Sequence, residues 1–297
     1  MEILLINPYD SPDYLYRDIL EGLLQLDVKL YFTNPDRFCT NLVSDDEAIA
    51  LSKTVNYILV FFDKEKLTRP QPKFYLLDRI NLPEKTAYID GSEYNWTAYP
   101  GKTTDLLRPD MLYKCKFYFK RECLPQHVDM GIIPLPFASN LSYFSNKTHE
   151  KDIDVLCTFG QTSTGQRAIA IHACNELKQE GYHILTDNVT DYYSYINRSW
   201  ITIDAHGGGE CNARTWQILA NHSCLFAEKY NIVMPKLVDG YHYVSWNDKE
   251  DLKNKIRIYL GNKEKLSYII QNSYDNVLKH HTSRKRAEYL IIHLTKQ

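Results

Sequence analysis

Short runs of β-branched and aromatic residues alternate with segments of helical period along the chain, and this alternation constrains the fold more than any other feature. It is the pattern of parallel sheets flanked by helices, because parallel strands need a crossover between them. Strands are expected at residues 3–6, 28–32, 57–62, 86–90, 116–119 and 132–134, with a helix over 14–26 whose stripe is Leu15, Ile19, Leu23 and Leu26. Pro134-Leu135-Pro136 then ends regular pairing. Residues 142–152 are polar and charged and are taken as an interdomain linker. The alternation restarts with strands at 153–159, 183–186, 201–203, 224–227 and 243–246. Helices are expected at 166–180, closed by Gly181, and at 192–197, 213–221, 249–260, 263–279 and 283–295. Asn247 and Glu250 have the spacing of a capping box.

The expected architecture is therefore α/β, with two Rossmann-like domains, 1–148 and 149–297, facing a central cleft. The C-terminal helices pack back toward the first domain, and the last one can cross to it. A chain of 297 residues, 44% hydrophobic and 24% charged, has the length and composition for two such cores. In open α/β sheets ligands sit at the carboxyl ends of strands, so the chemistry is sought in post-strand loops.

A net charge of −2 advertises no polyanionic partner. The start, Met1-Glu2-Ile3-Leu4-Leu5-Ile6, is acidic and only briefly apolar, a strand and not a signal peptide, and no run reaches the length of a membrane span. Seven scattered cysteines without Cys-x-x-Cys spacing argue against a disulfide framework or a structural zinc, and for a reduced, cytoplasmic protein. The 23 tyrosines are explained by aromatic packing, although sugar stacking could use a few.

Two post-strand loops carry candidate chemistry. In the first, Gly160, Gln161, Thr162, Ser163, Thr164 and Gly165 precede Arg167 in a helix's first turn, an arrangement that can offer amides and a cation to phosphate oxygens. It lacks the Gly-Lys-Ser/Thr of a Walker loop, its glycine spacing does not fit the dinucleotide fingerprint, and the plain alternative is a βα turn with Ser/Thr capping. The second runs His206, Gly207, Gly208, Gly209, Glu210, Cys211, Asn212 into a helix with Arg214, Trp216 and Gln217. Three consecutive glycines cost backbone entropy, which points to a need for close approach or positive φ, and the helix start favours an anion. Arg214 and Gln217 share a helix face and suit a diphosphate with its ribose. The alternative is a flexible turn with a surface arginine.

The run Asn212-Ala213-Arg214-Thr215-Trp216-Gln217-Ile218-Leu219-Ala220-Asn221-His222-Ser223-Cys224-Leu225, with Tyr243 to Leu252 downstream, resembles the donor-domain signature of CgeB-like glycosyltransferases, GT-B enzymes related to glycosyl transferase group 1. His280-His281-Thr282-Ser283-Arg284-Lys285-Arg286-Ala287 is similar to that family's tail, and Asp152-Ile153-Asp154-Val155 with Gly160 and Arg167 to the start of its second domain. Asp90-Gly91-Ser92-Glu93, Tyr118-Phe119-Lys120-Arg121-Glu122 and Pro134-Leu135-Pro136-Phe137 resemble segments of its first. The resemblance implies a GT-B fold and transfer of a sugar from a UDP- or GDP-linked donor, without a metal or other cofactor. The acceptor is left open among a glycan, a protein, a small molecule and a modified base. The chain departs from the family at Gln217, where a glutamate usually grips the donor's ribose or sugar.

Such a transfer must stabilise a departing nucleoside diphosphate. Arg214, Arg167, Gly160, Gln161, Thr162, Gly207, Gly208, Gly209, Glu210, Asn212 and Gln217 are the donor-side candidates. An inverting reaction also needs a base near the acceptor hydroxyl, whereas a retaining one does not. Asp90, at a strand end beside Gly91, is the first choice, with Asp13 next, and a turn-capping role is the alternative for Asp90. His206 can bond the donor sugar or phosphate. Asp10, Glu93, Lys120 and Arg121 are assigned to the acceptor side, although the basic pair also fits a solvated turn after a buried strand. No metal site is expected, because Asp152-x-Asp154 enters a strand. Two rivals keep the fold: a non-catalytic nucleotide-sugar binder, for which Gln217 is the clue, and a sugar-nucleotide epimerase. Action on modified DNA bases is a further variant. Oligomeric state is not legible.

Overall fold

The computed structural model of the chain describes residues 1–10, 13–62, 72–92, 109–145, 150–159, 165–207 and 209–296. The chain forms two compact units, Met1–Ala138 with Ile232–Met234 and Ser283–Gln297, and Ser139–Asn231 with Pro235–Thr282.

In the first unit β1 (Glu2–Ile6), β2 (Lys29–Phe32), β3 (Tyr57–Phe62), β4 (Thr86–Asp90), β5 (Phe117–Lys120) and β6 (Ile133–Pro134) form a parallel sheet in the order β2-β1-β3-β4-β5-β6. Its central strands are apolar on both faces, as helix-covered parallel strands must be. Leu4, Ile6, Ile58, Val60, Tyr88 and Tyr118 fill one face's core. The helix after β1, α1 (Tyr14–Leu24), begins where Asp13 accepts the Tyr16 amide at 3.0 Å. Four further helices are α2 (Asp45–Ser52), α3 (Tyr75–Ile80), α4 (Pro109–Lys114) and α5 (Pro125–Asp129). Each has only five to eight residues, too few to display a helical period in the sequence.

In the second unit β7 (Ile153–Leu156), β8 (Ile184–Leu185), β9 (Ser199–Ile203), β10 (Cys224–Ala227) and β11 (Val244–Ser245) pair in parallel in the order β11-β10-β9-β7-β8. The chain winds one way from β7 to β8 and the other way from β9 to β11, so the topological switch point lies between β7 and β9. The helices are α6 (Gly165–Gln179), α7 (Tyr192–Arg198), α8 (Ala213–Leu219), α9 (Lys249–Leu260) and α10 (Lys263–His280). Val155, Ile201, Ile203, Phe226, Trp246, Leu252 and Leu266 meet in its core. Beyond α6, Gly181 has φ +98°, the left-handed turn that lets a helix stop without a steric cost.

The cap of α9 sits one residue later than its expected place. Asp248 accepts the Asp251 amide at 2.9 Å, and Asp251 in turn accepts the Asn247 amide at 3.0 Å. Asp152 is bonded to Arg198, and Asp154 accepts the His183 amide at 3.0 Å with Lys263 at 3.4 Å, so both carboxylates tie chain segments together.

The last helix, α11 (Ser283–Thr295), belongs to the first unit and packs on α1. At their crossing a β-carbon on Gly22 would lie 2.0 Å from the Ser283 carbonyl oxygen, so the two backbones touch. Arg286, fully buried, donates to the Phe137 carbonyl at 3.0 Å and fixes the approach. No helix among the described residues is long and apolar enough to cross a membrane.

Candidate functional site

The carboxyl ends of β7, β9 and β10 in the second unit gather most of the described donor-side candidates. Leaving β7, the chain places Thr158 and the buried Phe159 ring, and α6 brings Arg167 back over it with its guanidinium carbon 5.7 Å from the ring centroid. Arg214, from α8, reaches the same ring at 4.8 Å. Two guanidiniums therefore share one aromatic surface beside the switch point, a stacking geometry that suits arginine and not lysine.

Their partners differ. Arg214 donates Nη1 to the Thr158 carbonyl, lies over the Tyr192 ring at 5.4 Å and has Nε 3.9 Å from Asp204 Oδ1. Its side chain keeps 22% of its exposure, so it is held without being sealed. Arg167 pairs with no carboxylate among the described residues, and its buried Nε has no hydrogen-bond partner among them. Asp204 is the only described carboxylate paired with either guanidinium, and Glu228, which feels Asp204 and Glu210, lies further along the same strand ends.

The glycine run has a steric meaning here. A β-carbon on Gly207 would lie 2.9 Å from Arg167 Nη2, so this position must be glycine for the guanidinium to lie over the loop. The Gly207 amide donates to the Gly209 carbonyl at 3.1 Å, closing a tight turn. Asn212 caps α8 by accepting the Arg214 amide at 2.8 Å and donates to Asp204 at 3.1 Å. The expected anion cradle at that helix start is thus partly filled by the cap, and α8 has only seven residues. The positive charge comes from side chains more than from the helix.

Asp204 and Glu228 were missed in the sequence. Asp204 follows β9, is buried, and accepts Thr215 Oγ1 at 2.8 Å besides Asn212. Glu228 follows β10 and accepts the His206 amide at 2.6 Å, with the His206 ring nitrogen Nδ1 at 4.0 Å. Burial pushes the Glu228 carboxyl above the ordinary range although His206 opposes it. Their signal was position: each immediately follows a central strand of a parallel sheet. His206 Nε2 is buried with no partner among the described residues.

Other donor-side candidates stand apart. Glu210 is buried and turned toward Asn231, whose amide it accepts at 2.5 Å. Gln217 is half-buried one turn along α8. Gly160, Gln161, Thr162, Gly208 and, in the first unit, Glu93 lie outside the described residues.

In the first unit Asp90 and Lys120 pair with each other, and the other described candidates stand apart from them. Asp90 is 2% exposed, and its Oδ2 accepts Tyr118 Oη at 2.8 Å and Lys120 Nζ at 3.1 Å while Oδ1 accepts the Ser92 amide at 2.9 Å. Burial alone would push this carboxyl up, but Lys120 and the Ser92 and Tyr118 donors outweigh it and hold it below the ordinary range. Neither oxygen is presented to solvent as a base requires. Lys120 and Arg121 do not form a solvated turn: both are buried, Lys120 against Asp90 and Arg121 against Glu122 at 3.3 Å and the Phe137 ring at 4.4 Å. Asp13 lies beside Gly91, with Oδ1 3.4 Å from where a β-carbon would stand. Asp10, with φ +37°, is exposed and paired with Arg37 at 3.2 Å.

Among the described residues no three His, Cys, Asp or Glu side chains are grouped so as to hold a metal ion. No curated protein matches the chain by sequence. Solved structures do match it in fold. HepE of Anabaena, crystallised with UDP and glucose, superposes with a TM-score of 0.66 at 9% identity, over 100% of this chain and 99% of that one. A glycosyltransferase from Rickettsia africae gives 0.69 at 12% identity over 99% and 97%, and sucrose-phosphate synthase from Thermosynechococcus elongatus gives 0.61 at 9% over 98% of each. The two parallel-sheet, Rossmann-like units have the fold of GT-B glycosyltransferase structures, and residues 167–292 match the family described as glycosyl transferase-like.

Proposed function

We propose that the chain is a glycosyltransferase of the CgeB-like kind that moves a hexosyl or related sugar from a nucleoside-diphosphate donor to an acceptor hydroxyl. The observation that carries this reading is the Arg167 guanidinium, without a carboxylate partner among the described residues, beside Arg214 at the switch point of the second unit. A guanidinium without a carboxylate partner, at the strand ends where α/β sheets bind nucleotides, is complementary to a diphosphate. The family match over residues 167–292 and the UDP seen in HepE support the same donor class.

In this reaction Arg167 and Arg214 stabilise the charge that develops on the departing diphosphate, so no metal ion is required. His206, held by Glu228, stands on the next loop to bond the donor sugar. For an inverting transfer the base is Asp13, because the oxygens of Asp90 are enclosed by Tyr118, Lys120 and Ser92. The seven free cysteines fit a reducing, cytoplasmic setting. A non-catalytic binder is the second reading, carried by the Gln217 amide where the resembling family places a carboxylate.

The test is release of nucleoside diphosphate from a panel of UDP- and GDP-sugars, with and without candidate acceptors and with a chelator present. Release accelerated by one acceptor and indifferent to the chelator supports the transferase. Tight donor binding with no acceptor-dependent release across glycan, protein, small-molecule and modified-base acceptors favours the binder.

A further inference from the structure

We propose that Tyr192 is a positioning residue of the donor site: its ring and that of Phe159 clamp the Arg214 guanidinium, so that the charge is oriented before the diphosphate arrives. This rests on the functional reading above. The two jaws come from different segments, Phe159 from the stretch that follows β7 and Tyr192 from the first turn of α7, which leads into β9. The clamp therefore spans the two strands that border the switch point. The guanidinium carbon is 4.8 Å from the Phe159 centroid and 5.4 Å from that of Tyr192, both within cation–π range. The Thr158 carbonyl and Asp204 fix its remaining edges.

The physical reason is entropic. A free arginine loses rotamer freedom when it grips an anion, and holding it beforehand removes that cost from binding. Rings achieve this without neutralising the charge, which a second carboxylate would do. The Tyr192 hydroxyl is buried without a hydrogen-bond partner among the described residues, and burial pushes its pKa up, so the ring acts as a neutral surface. Asp191 accepts the Ser194 amide at 3.4 Å and caps α7, which fixes where that ring stands.

A double-mutant cycle measures the coupling, with UDP and GDP titrated separately by calorimetry into the wild type, Tyr192→Leu, Arg214→Ala and the double variant. Tyr192→Leu should weaken binding about 3- to 30-fold, the range of a partly desolvated cation–π contact. The double variant should bind no more weakly than Arg214→Ala alone, because the ring acts only through that arginine. Tyr192→Phe, which keeps the ring, should stay within about twofold of the wild type. If Tyr192→Leu does not fold, Tyr192→Met, which also removes the ring, replaces it in the cycle with the same expectation. Equal losses from the ring variant in the presence and absence of Arg214, or no loss at all, would overturn the clamp while leaving donor binding in place. Failure of the wild type to bind either nucleotide would overturn the functional reading and the clamp together.

Discussion

Arg167 Nη2 lies 2.9 Å from the point a β-carbon on Gly207 would occupy, so one glycine of the triplet makes room for a side chain of the protein itself. The atom in the way is the far end of a flexible side chain. Gly207→Ala should therefore leave the melting temperature nearly unchanged but displace the guanidinium. Nucleoside diphosphate affinity should fall by roughly tenfold, about 1.4 kcal/mol. Calorimetry on the variant beside a thermal melt checks both halves, and an unchanged affinity would remove the Arg167–Gly207 contact from the site.

The two first-unit carboxylates should behave in opposite ways. Asp90→Asn leaves Lys120 buried without its counter-charge, and breaking a buried pair costs about 3–5 kcal/mol, so the variant should lose stability first and foremost. Asp13→Asn should keep the fold and the donor affinity while turnover drops by roughly 10²- to 10⁴-fold, the usual worth of a positioned base. Denaturant melts and steady-state rates on both variants decide the matter. A stable, slow Asp90→Asn with a normal Asp13→Asn would exchange their roles.

Stability should rise with pH above neutrality, owing to Lys151. Its ammonium donates to the carbonyls of Asn197 at 2.7 Å, Ser199 at 2.8 Å and His222, with Cys224 and His222 as its titratable neighbours. Burial lowers its pKa from 10.5 to about 7. Between those values the unfolded chain holds a proton that the folded chain has released, so unfolding becomes harder as pH rises, by up to a few kcal/mol. The gain is complete above pH 10.5 and lost as pH falls to about 7. Urea unfolding at pH 7 and 9.5 should show the increase in the wild type and a flatter response in Lys151→Met. Equal pH slopes in the two would contradict the assignment.

Gly22→Ala should destabilise the first unit, since the added methyl would meet the Ser283 backbone, which cannot swing away. Overpacking of this kind costs typically about 1–3 kcal/mol. A denaturation midpoint equal to that of the wild type would show that α1 and α11 can separate freely.

The sheets were legible in the sequence because runs such as Tyr57–Phe62 are apolar on both faces and can only be central parallel strands. Helices such as α2 were not, since its first turn is Asp45, Asp46 and Glu47 and its eight residues show almost no apolar stripe. What marks α2 is instead the Ser44–Glu47 capping box, with the Ser44 amide donating to Glu47 at 2.7 Å. At the site, loop glycines and arginines could be singled out, because local composition alone flags them. The roles of Asp204, Glu228 and Tyr192 depend on which residues meet across strands, and no spacing along the chain encodes that. Lys120 and Arg121 show the same limit: a basic pair after a strand suggests solvent until Asp90 and Glu122 are placed against it.

The most direct test of the central claim is calorimetric titration of UDP and GDP into the wild type and Arg167→Ala at one ionic strength. One nucleotide should bind the wild type, and the variant, with an unchanged melting temperature, should bind it at least tenfold more weakly, since a charge-assisted bond to phosphate is worth about 1.5–3 kcal/mol. Equal affinities for the two proteins, or no binding of either nucleotide by the wild type, would contradict it.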